Sequence, residues 1–247
     1  MKLRNKKHTF ENEVSNRLSS HTNFHAEEAY KIIRTNLLFT LASAKNNIIL
    51  VSSPEAAAGK SITCANLAIS MAQTGKNVVL IDADMRKPVQ HRIFEFANTD
   101  GLSTILSKTA DADKILHHYK DTSLDVISAG PIPPNPVELL SSKNMQDFLD
   151  SISGGYDYVF IDTPPINMLS DALVLEPYVS GTVLIARQNQ TTYDSLQKTI
   201  DSIKKVNGTV LGVVINDVRE KSKPYSSYYY GSYGSCYGSY GDGPSSK

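Results

Sequence analysis

Three groups of residues combine types and spacings that can do chemistry. Gly59-Lys60-Ser61 lies between an apolar run ending at Val51 and a segment with helical periodicity. Backbone N–H groups at the start of a helix, reinforced by the helix dipole, attract phosphate. Lys60 adds a cation for the β- and γ-phosphates, and the Ser61 hydroxyl is a ligand for Mg²⁺. The candidate nucleotide-binding loop therefore comprises Ala57, Ala58, Gly59, Lys60, Ser61 and Ile62. The full G-x-x-x-x-G-K-S spacing is not met, because Pro54 stands at the first glycine position. Asp82 and Asp84 directly follow Val78–Ile81, and two carboxylates at one strand end can share a metal-and-nucleophile site. The competing interpretation is a solvated charged loop. Asp162 directly follows Tyr158–Ile161, where the second, Mg²⁺-linked carboxylate of a phosphate-loop enzyme stands. Individually these are ordinary residues; their order along the chain, each at a strand terminus, points to nucleotide binding.

Those positions require a particular scaffold. Short apolar runs at Ile48–Val51, Val78–Ile81, Leu124–Ile127, Tyr158–Ile161, Thr182–Ala186 and Val210–Ile215 read as buried strands. Helical segments are expected at 26–42, 61–74, 136–153, 170–178 and 193–205. Continuous apolar strands separated by helices define an α/β, doubly wound, mostly parallel sheet covered on both faces. Ligands of such sheets bind beyond the carboxyl ends of the strands, where the three groups fall. The expected organisation is a disordered basic and polar segment over 1–25, one domain over 26–220 and a flexible tail over 221–247.

Composition narrows the function further. The chain has 247 residues, enough for one α/β domain with tails, and 25 basic residues balance 25 acidic ones. This balance gives no case for a nucleic-acid partner. The two cysteines, Cys64 and Cys236, have no pair spacing, which fits a reducing cytoplasm. No apolar run is long enough to span a bilayer, so attachment to a membrane would come through a partner. The last 24 residues carry seven of the thirteen tyrosines: Tyr225, Tyr228, Tyr229, Tyr230, Tyr233, Tyr237 and Tyr240. Spaced by Ser and Gly, they form a low-complexity stretch of phenols. Phenols at the end of a phosphate-handling chain are candidate phosphate acceptors.

Together these motifs resemble the bacterial protein-tyrosine kinases of capsule and exopolysaccharide synthesis, P-loop proteins related to septum-positioning and partition ATPases. The resemblance covers about residues 26–247. It rests on Ile48–Ser61, the Asp-x-Asp-x-Arg run within Val79–Arg86, the Asp-x-x-Pro run within Val159–Pro165, the segment Ala129–Leu140, and the tyrosine cluster. It implies transfer of the γ-phosphate of ATP, with Mg²⁺ held by Ser61, Asp84 and Asp162. Lys60 would neutralise the transferring phosphate, Asp82 would accept the phenol proton or orient the phenol, and Asn216 would contact the base. For Arg86, a phosphate contact and a subunit contact are both open. Glu28, Lys31 and Arg34 match the family's E-x-x-R-x-x-R oligomerisation motif with Lys in the middle, which implies a ring octamer; Glu28 and Lys31 also fit an intrahelical pair. The resemblance further implies a membrane adaptor of the polysaccharide chain-length (co-polymerase) type and an opposing protein tyrosine phosphatase. Ala57, where the family has glycine, is expected to slow the loop. A partition-type ATPase switch and a non-catalytic nucleotide-binding interaction protein are the alternatives.

Overall fold

The computed structural model describes residues 15–19, 22–111, 115–119 and 122–218. Helix α1 (Phe24–Leu41) precedes β1 (Ile48–Ser52), α2 (Lys60–Ala72) and β2 (Val78–Asp82). Two short helices, α3 (Gln90–Ile93) and α4 (Leu102–Leu106), lead to β3 (His117–His118) and β4 (Leu124–Ile127). After α5 (Pro136–Leu140) and α6 (Lys143–Ser153) come β5 (Tyr158–Asp162), β6 (Gly181–Arg187), α7 (Tyr193–Lys205) and β7 (Val210–Asn216). The sheet order is β3-β4-β2-β5-β1-β6-β7, parallel except for β3, which pairs antiparallel with β4. All six expected strands are present, in a doubly wound parallel sheet.

Alternation along the strands builds a core on each face. Ile49 and Val51 pack with α1 and α2 through Leu37, Leu67 and Met71. Ile48 and Leu50 pack with α4, α5 and α6 through Leu102, Leu140 and Phe148. The topology also sets the site. The chain passes from β1 over to β2, and β5 later inserts between them, so the carboxyl ends of β1, β2 and β5 are adjacent. In the β2–β5 register Asp82 stands directly opposite Asp162.

Three expectations need correction. Residues 170–178 form turns and a single 3-10 turn, Glu176–Tyr178, instead of a helix. Pro177 lacks the N–H a helix interior needs, and Asp171 is drawn into an ion pair with Arg86. The 136–153 helix is two helices, because Ser142 caps α6 by accepting from the Met145 N–H and serines favour such ends. The start is also not polar coil throughout, since Arg17 and Leu18 are buried. The Leu18 N–H donates to Asn66 Oδ1 at 2.8 Å, and the Arg17 guanidinium lies 5.2 Å from the Tyr119 ring centroid.

At the foot of β6, Glu176 is buried and accepts a hydrogen bond from the Thr182 hydroxyl at 2.5 Å. Burial pushes its carboxyl up to about 7, against the opposing pull of the Thr182 bond and Lys45. The folded chain thus holds a proton that the unfolded chain releases near 4.5. The resulting stability is complete below that pH and is lost as pH rises through 7. A shift of this size corresponds to about 3 kcal/mol. Glu176→Gln should therefore match the parent at pH 4.5 and exceed it at pH 8 in urea-unfolding midpoint.

Candidate nucleotide site

The loop from β1 to α2 is fixed by its neighbours. Ser53 Oγ donates to the Glu55 carbonyl at 2.6 Å, and the Glu55 carboxylate accepts from Thr191 at 3.1 Å and also from Ser195. Gln190 and Arg187, from the β6–α7 connection, donate to the carbonyls of Ala56 and Ala57, each at 3.1 Å. Asn216, at the end of β7, donates to the Ala58 carbonyl at 2.9 Å. Thus Asn216 belongs to the loop's support, beside Gly59. Ala57 and Gly59 both have left-handed backbone, with φ of 63° and 87°. For Ala57 that conformation costs about 1 kcal/mol or more, and the Arg187 bond to its carbonyl helps to hold it.

Lys60, at the first turn of α2, gathers the acidic strand ends. Its ammonium lies 2.9 Å from Asp84 Oδ2, 3.4 Å from Asp162 Oδ1 and 3.1 Å from Ser61 Oγ. Burial alone would discharge this lysine, but the Asp162 and Asp84 charges outweigh it and hold its pKa above the usual value. Asp82 is fully buried. Its Oδ2 accepts from the Val89 and Gln90 N–H groups at 3.1 and 3.0 Å, and its Oδ1 from Asp84 N–H at 3.2 Å. Burial, and then the facing Asp162 charge, push the Asp82 carboxyl up. Burial also raises Asp162, against the Lys60 charge. Each carboxylate therefore depends on the few donors around it.

Sequence reasoning missed Gln90. This buried side chain donates from Nε2 to Asp162 Oδ2 at 2.8 Å and to the Ser61 carbonyl at 3.0 Å. No periodicity marks it; its position four residues after Arg86 acquires meaning only once the loop folds back. Arg86 donates from Nε and Nη2 to the two oxygens of buried Asp171, at 3.0 and 3.3 Å. Within the chain, the partner of Arg86 is thus Asp171.

Ser61, Asp84 and Asp162 offer oxygen donors converging on one cation, the chemistry Mg²⁺ prefers when phosphates complete its shell. Among the described residues no group of three His, Cys, Asp or Glu assembles a cage by itself. The residues thus fit a nucleotide-borne Mg²⁺. Glu28, Lys31 and Arg34 lie apart from this cluster, on α1. Lys31 pairs with Glu27 and Glu28, both at 2.9 Å, and Arg34 donates to the Ser70 carbonyl at 2.6 Å. The seven tail tyrosines lie outside the described residues. No helix among those described is long and apolar enough to cross a membrane.

A parallel sheet with a phosphate loop after its first strand, and a loop lysine reaching the carboxylates of two neighbouring strands, defines a P-loop NTPase. A family model described as the NUBPL iron-transfer P-loop NTPase, ParA, matches residues 44–228. The chain is 38% identical over 205 residues to putative tyrosine-protein kinase CapB of Staphylococcus aureus, covering 83% of this chain and 90% of that protein. It is likewise 38% identical to tyrosine-protein kinase YwqD of Bacillus subtilis, covering 83% and 86%. The kinase domain of Escherichia coli tyrosine kinase ETK superposes with a TM-score of 0.77 at 32% identity, covering 80% of this chain and 78% of that one. The chain belongs to the bacterial tyrosine-protein kinases, and it is a protein-tyrosine kinase of the capsule and exopolysaccharide type.

Proposed function

We propose that this kinase transfers the γ-phosphate of MgATP to the tyrosines of its own C-terminal segment, Tyr225 to Tyr240, and so regulates capsule or exopolysaccharide synthesis and export. The observation that carries this reading is the convergence of Ser61, Asp84 and Asp162 within 3.4 Å of the Lys60 ammonium, in a chain that ends in seven phenols. In the transfer, a bond forms between phenol oxygen and γ-phosphorus, the bond to the β-phosphate oxygen breaks, and ADP leaves. Ser61, Asp84 and Asp162 hold Mg²⁺, which when bound offsets phosphate charge. Lys60 neutralises charge gathering on the phosphoryl oxygens. Asp82 takes the phenol proton; its raised affinity for protons suits a base facing a group of pKa near 10. Its burial means that the loop from Ala83 to Gln90 must open to admit a phenol. Ala57 to Ile62 and Asn216 surround the nucleotide.

In the same reading α1 mediates a homo-oligomeric ring through Glu28, Lys31 and Arg34, so that tails reach neighbouring sites. A membrane adaptor of chain-length type holds the kinase at the inner face of the membrane and activates it, and a tyrosine phosphatase resets it. Residues 224–247 carry only Asp242 and Lys247 as charged side chains. Full phosphorylation would add roughly 10 to 14 negative charges, which the acidic site repels, releasing the tail and loosening the ring.

The test uses the full chain with MgATP and a phosphotyrosine readout, alone and with its adaptor's cytoplasmic segment. Phosphotyrosine is expected on the parent chain. A variant with all seven tail tyrosines changed to Phe should lose its own label yet still phosphorylate a synthetic tail peptide. ATP hydrolysis without phosphotyrosine under both conditions would instead establish an ATPase switch.

A further inference from the structure

Gln90 bonds to both facing strand-end carboxylates, Asp82 and Asp162, from a single position. Its backbone N–H donates to Asp82 at 3.0 Å, while its side-chain amide donates to Asp162 at 2.8 Å and to the Ser61 carbonyl at 3.0 Å. Both side-chain partners are pure acceptors, so the NH₂ group must occupy this position and the amide orientation is settled by chemistry. The same amide leaves Oε1 buried without a partner among the described residues. A buried unpaired acceptor is costly, and one beside a set of metal-suited oxygens is where a metal-bound water can donate.

We propose that Gln90 is a positioning residue for the metal. Nε2 fixes the rotamer of Asp162 and ties it to the residue that supplies the Ser61 hydroxyl, and Oε1 accepts from a water of the Mg²⁺ shell. Of the two facing carboxylates, Asp82 is held by backbone N–H groups, which any sequence offers. Among the described residues, Asp162 is met by the Lys60 ammonium at 3.4 Å and by the Gln90 side-chain amide at 2.8 Å. When Lys60 turns toward phosphate, Gln90 remains as the fixed donor on Asp162. The residue therefore links Asp162 to Asp82 across the two strand ends, through one side-chain and one backbone bond. This inference rests on the MgATP reading above.

The probe is ADP, titrated by calorimetry into the full chain in EDTA and again in saturating Mg²⁺. The variants are Gln90→Met, similar in shape without the amide, and Gln90→Asn, which keeps the amide but withdraws it by one methylene. Loop amides hold phosphate without metal, so affinity in EDTA should stay within about twofold for both variants. The tightening brought by Mg²⁺ should shrink about tenfold or more, the usual effect of removing an orienting partner of a metal ligand. The Mg²⁺ concentration for half-maximal kinase activity should rise in parallel. A role confined to folding would weaken ADP equally in both media, and that result, or parental Mg²⁺ tightening in both variants, overturns the proposal. If the parent chain itself shows no Mg²⁺-dependent ADP binding, the MgATP reading falls first.

Discussion

Lys60→Met is expected to lower phosphotyrosine formation by about 10³-fold, and also to destabilise the folded chain in a pH-dependent way. The first effect follows from removing the preorganised positive charge at the transferring phosphate. The second follows from the ion pairs Lys60 makes with Asp84 and Asp162, at 2.9 and 3.4 Å, where its side chain is only 11% exposed. Breaking a buried pair by removing one partner costs about 3–5 kcal/mol, because the other charge stays buried. Asp162 is raised even with Lys60 present, and Lys60→Met raises it further. A carboxyl raised in the folded state keeps a proton that the unfolded chain loses, so its stabilising contribution is present at low pH and lost as pH rises. The deficit of the variant should then be smallest near pH 5 and largest near pH 8. Urea-unfolding midpoints of both proteins at the two pH values measure this. A deficit that does not change with pH would show that Lys60 does not neutralise these carboxylates. Activity of the variant is best read at the pH where its folded fraction matches the parent's.

The strand ends were legible in the sequence because each is an apolar run stopped by a chemically distinctive residue. Gly59-Lys60-Ser61, Asp82 and Asp162 could be placed on a sheet edge from local pattern alone. What local pattern does not contain is strand order. Asp82 and Asp162 are 80 positions apart in the chain, and only the insertion of β5 between β1 and β2 sets them opposite one another. Gln90 was hidden for a related reason: its partners come from β5 and from α2, and an isolated glutamine has no signature. Arg17 reads as one more charge in a polar start, yet Phe94 and Tyr119 form an aromatic slot for it and the Ile93 carbonyl accepts from it. The spacing of Glu28, Lys31 and Arg34 was visible, and so was the Glu28–Lys31 pair. The attachment of Arg34 to Ser70 was not, because it depends on α1 packing against α2. In residues 170–178 the apolar spacing suggested a helix, but Pro177 and the buried Asp171–Arg86 pair decided otherwise.

Gly59→Ala is expected to weaken ADP binding by about 100-fold and to cost about 1–2 kcal/mol of stability, the usual price of a non-glycine residue held in a sparsely populated conformation. Gly59 has φ of 87°, and a Cβ there would run into the Asn216 side-chain amide. That amide already has a task, donating to the Ala58 carbonyl. Moving it aside frees space but leaves the carbonyl without its donor. The loop's other escape is to leave the left-handed conformation, which re-aims the N–H groups that open α2 and displaces Lys60. Either route damages phosphate binding. Ala57 supplies the contrast, because the chain tolerates a Cβ at φ of 63° there, where the Arg187 bond to the same residue's carbonyl holds the backbone. The expected cost at Gly59 therefore has two parts, the collision with Asn216 and the backbone conformation, and combining Gly59→Ala with Asn216→Ala separates them. Removing the amide should recover part of the stability, since a flexible side-chain end is the colliding group, but little of the ADP affinity, since the strained conformation and the lost donor persist. Unfolding midpoints and ADP titrations of the parent, the two single variants and the double variant complete the cycle. Parental ADP affinity in Gly59→Ala would show that the left-handed turn at this position is not needed to cradle phosphate.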